Sequence, residues 1–171
     1  SNTSVGNYSL GANTTGSDKT AIGNSALYTT TTGNRLTAVG SNTLYANTTG
    51  DYNTAVGNAA LLFNTTASFN SAFGYNSLGA NTTGNSNTAM GHGSLGVNTT
   101  ASSNSAFGYG ALDANTTGAY NTAVGSMALS ANTTSNANTA VGMGALTANT
   151  TAGNNTAIGY NSSNANTTGE L

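Results

Sequence analysis

The chain has no cysteine and no proline, a single histidine, and only six charged residues: Asp18, Lys19, Arg35, Asp51, Asp113 and Glu170. Without cysteine, disulfides contribute nothing to stability. A net charge of −2 leaves no basic stripe for phosphates, so nucleic acid is excluded as a partner, as is a membrane surface held by basic residues. No apolar run approaches the ~20 residues of a membrane span, so this segment does not insert into a membrane. No signal-peptide pattern opens the chain, which starts in mid-pattern; the expectation is a fragment of a longer exported fibre. His92 sits at a variable turn position with no carboxylate in its repeat. That rules against a Ser-His-Asp arrangement and against an enzyme. Clustered metal ligands and glycine-rich phosphate loops are also missing, so no metal and no cofactor are expected.

What fills the chain is one 17-residue unit, repeated ten times from residues 2, 19, 36, 53, 70, 87, 104, 121, 138 and 155. Numbered from the residue before the anchor Thr, position 4 is Val, Ile, Phe or Met, from Val5 to Ile158, and position 5 is always Gly. Position 9 is Leu from Leu10 to Leu146, broken only by Ser163; position 12 is Asn except at Thr30, and positions 13 and 14 are always Thr-Thr. Disordered polar tracts do not hold apolar residues in phase in this way. A fixed period of this size marks a solenoid, so residues 1–171 form a single array rather than several domains. The unit lacks the apolar spacing of three and four that a helix requires. β-branched Thr and an invariant Gly point to an all-β parallel β-solenoid, or β-roll, with two short strands per rung. The first spans positions 1 to 4 and the second about 8 to 14.

Strand alternation assigns the faces. With position 4 inward, position 2 follows it; with Leu at position 9 inward, positions 11 and 13 follow. Positions 1, 3, 8, 10, 12 and 14 then face out, and the charges, at positions 1, 10, 16 and 17, agree. On this assignment Leu78 and Phe73 share the core with Leu95 and Met90. The Asn column at position 12 forms an amide ladder along a rod of ten rungs about 48 Å long. One Val-sized and one Leu-sized side chain per rung make a thin core. Smooth outward columns of Ala at position 3 and small residues at position 8 then favour packing against identical chains.

The stretches Asn53-Thr54-Ala55-Val56-Gly57, Asn70-Ser71-Ala72-Phe73-Gly74 and Asn155-Thr156-Ala157-Ile158-Gly159 carry a family resemblance. Each is followed by a small residue, Ala60, Ser77 or Ser162. They resemble the YadA-like head repeats of trimeric autotransporter adhesins, and similar units occur in phage tail fibres. The motif is one residue shorter and the unit longer, by the Asn-Thr-Thr-Gly segment. The resemblance implies a homotrimer of parallel β-rolls and a structural or adhesive fibre segment. It places the protein at the cell surface, in the extracellular space, or on a virion tail fibre.

Three surfaces are candidates for function. Nine Asn-Thr-Thr triplets match N-glycosylation acceptors, but a glycan every ~4.8 Å would crowd, and ladder structure explains their phase better. Variable aromatic positions are better suited to recognition: Tyr75, His92, Tyr109 and Tyr160 at position 6, with Tyr8, Tyr52, Phe69 and Tyr120 at other variable sites. Exposed Tyr suits contacts with a host-surface glycan or protein. The alternative is an ice-binding solenoid, whose flat face would combine Asn81, Thr83, Asn98, Thr100, Asn115 and Thr117.

Overall fold

The computed structural model describes residues 1–169; Glu170 and Leu171, on which the tenth unit ends, lie outside the described residues. It is an all-β parallel solenoid with no helix among the described residues. Each rung supplies one strand, from β1 (Asn2–Val5) through β6 (Thr88–Met90) to β10 (Thr156–Ile158). The ten strands make one sheet in chain order, every pair parallel and shifted by one repeat, as in Thr54↔Ser71 and Thr88↔Ser105.

Two expectations need correction. The first concerns the second strand, which does not form. Positions 6 to 11 run as successive turns, and the backbone is left-handed at position 7 (Ala59 φ 57°, Asn76 φ 52°) and at position 9 (Leu61 φ 50°, Leu78 φ 51°). Left-handed Leu is uncommon. Here the position 9 Leu is wholly buried from Leu27 to Leu146, with Leu10 of the first rung half-buried, so a continuous Leu stack offsets the backbone cost. Hydrogen bonding between rungs continues through these turns: Leu61 N donates to Ser77 O and Leu78 N to Ser94 O, each at 3.0 Å. Proline anywhere in these ladders would delete a donor, which accounts for its absence.

The second correction concerns the faces. From β2 on, Ala at position 3 is buried in every strand while the larger position 4 side chain is half-buried or exposed, so Ala faces the core and position 4 faces out. Ala89 is fully buried while Met90 beside it is 47% exposed. Phe73 is half-buried, so Leu78 and Leu95 share the core with alanines and not with Phe73 and Met90. Small residues at position 8, such as Ala60 and Ser77, are buried too. The interior is too narrow for two large apolar columns, and Leu takes the space. Both columns expected to guide association between chains therefore lie inside.

The asparagines at positions 1 and 12 also turn inward. Asn64, Asn81, Asn98, Asn115 and Asn132 form the expected amide ladder, buried: each Nδ2 donates to the Oδ1 one rung back at 2.8–3.1 Å. A second column, from Asn53 to Asn138, accepts the backbone N–H of the next rung on its Oδ1, as Asn87 N on Asn70 Oδ1 at 2.9 Å. The two columns meet on one carbonyl. Ala101 O receives Asn98 Nδ2 at 3.0 Å and Asn87 Nδ2 at 2.8 Å, and Gly84 O receives Asn81 and Asn70, each at 2.9 Å. Small residues at position 15 leave room for that junction. Glycine at position 5 is required twice over: Gly74 has φ 127°, and a Cβ there would lie 2.7 Å from Gly91 O.

Where the asparagine columns are broken, the replacements lie close together. Leu36 stands at position 1 near Thr30 at position 12, whose buried Oγ1 has no partner. Lys19, placed outside by the alternation argument, is 2% exposed, and its Nζ donates to Asn13 Oδ1. Burial lowers its pKa below the ordinary 10.5, with Asp51 opposing.

Ala89→Asp should cost several kcal/mol and unfold neighbouring rungs, whereas Met90→Asp should stay within about 0.5 kcal/mol in urea titrations. Asn98→Ala should cost about 2–4 kcal/mol, because it strands its ladder partners without water. For Lys19, the unfolded chain holds the proton more tightly than the folded one. Stability therefore rises as pH climbs through the lowered pKa and levels off above the ordinary value. The melting temperature of the wild type relative to Lys19→Met should rise across that window; a difference independent of pH would contradict the assignment.

Candidate recognition surface

Stacking rungs places identical repeat positions above one another, so aromatic residues one repeat apart must meet. Tyr75, His92 and Tyr109 form a continuous stack, with centroids 5.1 and 5.3 Å apart and both pairs tilted by 22°. Tyr160 occupies the same repeat position three rungs on, beyond Ser126 and Met143, and does not join it. Elsewhere Tyr28 stacks on Tyr45 at 5.3 Å, Tyr8 meets Tyr28 edge-on, and Tyr52 stacks on Phe69 at 5.0 Å. Arg35 lies over the Tyr52 ring and donates to its hydroxyl. Tyr120 is exposed.

Beside the Tyr75–His92–Tyr109 stack lies a cleft of about 220 Å³, bounded by Asn76, His92, Tyr109, Asp113 and Met127. Its floor is Gly93 and Gly110, which replace the side chains usual at position 7. Asp113 is exposed and its carboxylate makes no hydrogen bond or ion pair; the same holds for the side chains of Asn76 and His92. Asp113 and the two glycines were not singled out from the sequence. The signal was available: Gly93 and Gly110 are consecutive at one repeat position, and their rungs hold the histidine and the only carboxylate between Asp51 and Glu170.

The flat Asn/Thr face is not on the surface as expected. Asn81, Asn98 and Asn115 are buried in the ladder, while Thr83, Thr100 and Thr117 are exposed, leaving one rank where two were expected. The preceding Thr of each pair is half-buried and bonds the next rung, as Thr82 Oγ1 on Thr99 O at 3.0 Å. The asparagines of seven of the nine triplets, Asn47 to Asn149, are wholly buried, so the folded rod offers no glycosylation acceptor at those sites.

The outer side of the sheet carries the position 4 rank. Val5, Ile22, Met90, Val124 and Ile158 are exposed by 38–71%, and Val39, Val56, Phe73, Phe107 and Val141 are half-buried. Thr or Ser at position 2 runs alongside, and no charged residue occupies either position. The structure therefore presents an uncharged apolar stripe along its length. Among the described residues no group of three or more His, Cys, Asp or Glu could hold a metal ion, and no helix is long and apolar enough to cross a membrane. Comparison with known proteins gave no match: no family model, no curated protein and no solved structure matches this chain.

His92→Asn should lose about 1–2 kcal/mol of stability, since it removes two stacked contacts worth about 0.5–1.5 kcal/mol each. Asn occupies the same repeat position at Asn24 and Asn58, so the backbone accepts it. Tyr160→Ser should change stability by less than about 0.5 kcal/mol in the same urea titration.

Proposed function

We propose that this chain is a segment of a structural, adhesive extracellular fibre, associating side by side with copies of itself through the outer face of its sheet. The observation that carries the reading is the exposed position 4 rank, apolar from Val5 to Ile158 and free of charge. Monomeric proteins rarely leave so continuous an apolar stripe open to water. Two copies of such a face meet without repulsion, and rungs of equal spacing keep register along the contact. At ~4.8 Å per rung and ~3.3 Å per residue, the face covers about 600 Å². That is below the ~800 Å² per partner of a standard interface. Around a threefold axis each copy meets two others, which favours the trimer that the adhesin-head resemblance implies.

The corner carrying the aromatic stack stays free in such an assembly, because it lies off the sheet face. Contacts with a host-surface glycan or protein belong there. A surface or virion location follows from the resemblance and suits a chain without cysteine. No catalytic role is assigned.

Sedimentation equilibrium should give a multiple of the 16.7 kDa chain mass, three copies on the trimer reading. Val56→Lys together with Val124→Lys should return it to one copy without loss of β-structure. A wild type that stays at one copy at all concentrations would sink the assembly. Ice-crystal shaping that depends on Thr83, Thr100 and Thr117 would instead make the exposed Thr rank the working surface.

A further inference from the structure

We infer that the cleft over Gly93 and Gly110 is a binding site for a single pyranose ring carrying a vicinal diol, the end of a neutral glycan. This rests on the reading of the aromatic corner as the contact surface and names what that corner takes. Asn76 turns its Oδ1 over Gly79, 2.0 Å from where a Cβ would be, and its Nδ2 toward Gly96, 3.6 Å from the corresponding point. Asp113 Oδ1 approaches the same point over Gly96 from the other side, at 3.4 Å. A donor and an anionic acceptor, neither bonded to protein, thus converge on one spot two rungs apart.

That pairing selects the ligand. A metal ion or an amine is repelled by the amide N–H, and a phosphate or carboxylate by Asp113. A hydroxyl group both donates and accepts, so adjacent hydroxyls satisfy Asn76 and Asp113 together. Apolar contact comes from Met127 and from the face of Tyr109 turned away from His92, since Ser126 stands at that position in the next rung. Flat bases are disfavoured because the inner ring faces are occupied by the stack. The volume, about 220 Å³, is smaller than the roughly 300–1,000 Å³ of ordinary ligand pockets and suits one ring.

The site interrupts the repeat. Position 7 carries a side chain in most rungs, and Gly144, another glycine there, has Asn161 Oδ1 over it at 2.1 Å. Gly110 has Met127 Sδ over it at 2.7 Å, whereas the nearest atom over Gly93 is Asp113 Oδ1 at 3.8 Å, so the repeat is left open at Gly93. One ring binds weakly, but a fibre presenting several copies gains by avidity.

Saturation-transfer NMR with methyl α-D-mannopyranoside, methyl α-D-glucopyranoside and methyl β-D-galactopyranoside, each at millimolar concentration, tests the site. At least one should receive saturation from the wild type. Gly93→Asn fills the cleft with a residue that the repeat already accepts at Asn42 and Asn76 with φ 55° and 52°, so folding is preserved. It should abolish the transfer, and Asp113→Ala should reduce it at least about tenfold in affinity, the scale of a lost charged hydrogen bond. Tyr160→Ser should leave it unchanged. No transfer to any of the three glycosides, or transfer indifferent to Gly93→Asn and Asp113→Ala, would overturn the inference. The mass measured on the same samples tests fibre assembly separately, so either reading can fail while the other stands.

Discussion

The structure depends on asparagine side chains hydrogen-bonded inside a narrow, dry rod. A 17-residue rung encloses too little volume for a large apolar core, and Leu at position 9 with Ala at position 3 fills most of it. Two carboxamides per rung occupy the rest. Buried amides are costly unless every group is paired. Here the pairing is exchanged with the rung below, the rung above and the position 15 carbonyl. Each rung therefore needs a neighbour of the same kind, which is the physical reason for strict periodicity. An inserted residue would displace donor from acceptor in both columns at once. The exposed ladders repeat the device more weakly: Ser68 N donates to Asn85 Oδ1 and Asn85 N to Ser102 Oγ.

Much of this was legible in the sequence. The period, the Leu column, the glycine break after the strand and the amide ladder all follow from residues that hold their phase. The faces were not legible, because Ala at position 3 and Val, Ile, Phe or Met at position 4 are both apolar. Hydrophobicity favours burying the larger one. A strand offset of one residue exchanges the two faces entirely, so a single mistaken choice moved Ala89, Met90 and Asn87 together. Position 12 was misplaced because Thr-Thr after Asn resembles a strand. The chain instead turns there, with Asn98 holding Ala101 O across the bend. Asn and Gly at position 7 carry the clue, as residues that tolerate left-handed backbone. Lys19 was misjudged for a related reason: charge argues for the surface, yet its ammonium stands in for a carboxamide toward Asn13.

On the proposed reading, function resides where the repeat is broken. Positions that hold their residue type build the rod and, through position 4, an apolar face along it. Variable positions 6, 7 and 10 are released from the interior and differ between rungs. Stacking rungs turns chance similarity at these positions into continuous surfaces, as with Tyr75, His92 and Tyr109. The missing side chain at Gly93 then opens a cleft beside them while its ladder bond to Tyr75 O is kept. A solenoid of this design can change its surface by substitution at a few turn positions while its scaffold stays constant.

The central claim is that the asparagine carboxamides form the interior. Hydrogen exchange of side-chain amides, followed by NMR on asparagine-labelled protein, tests it directly. Nδ2 protons of Asn64, Asn81, Asn98, Asn115 and Asn132, and of Asn70, Asn87 and Asn104, should be protected as strongly as the backbone amides of the sheet. Asn58, exposed and without a side-chain hydrogen bond, should exchange at a rate typical of free asparagine. Rapid exchange throughout the first group, with the sheet amides still protected, would contradict an interior built on carboxamide ladders.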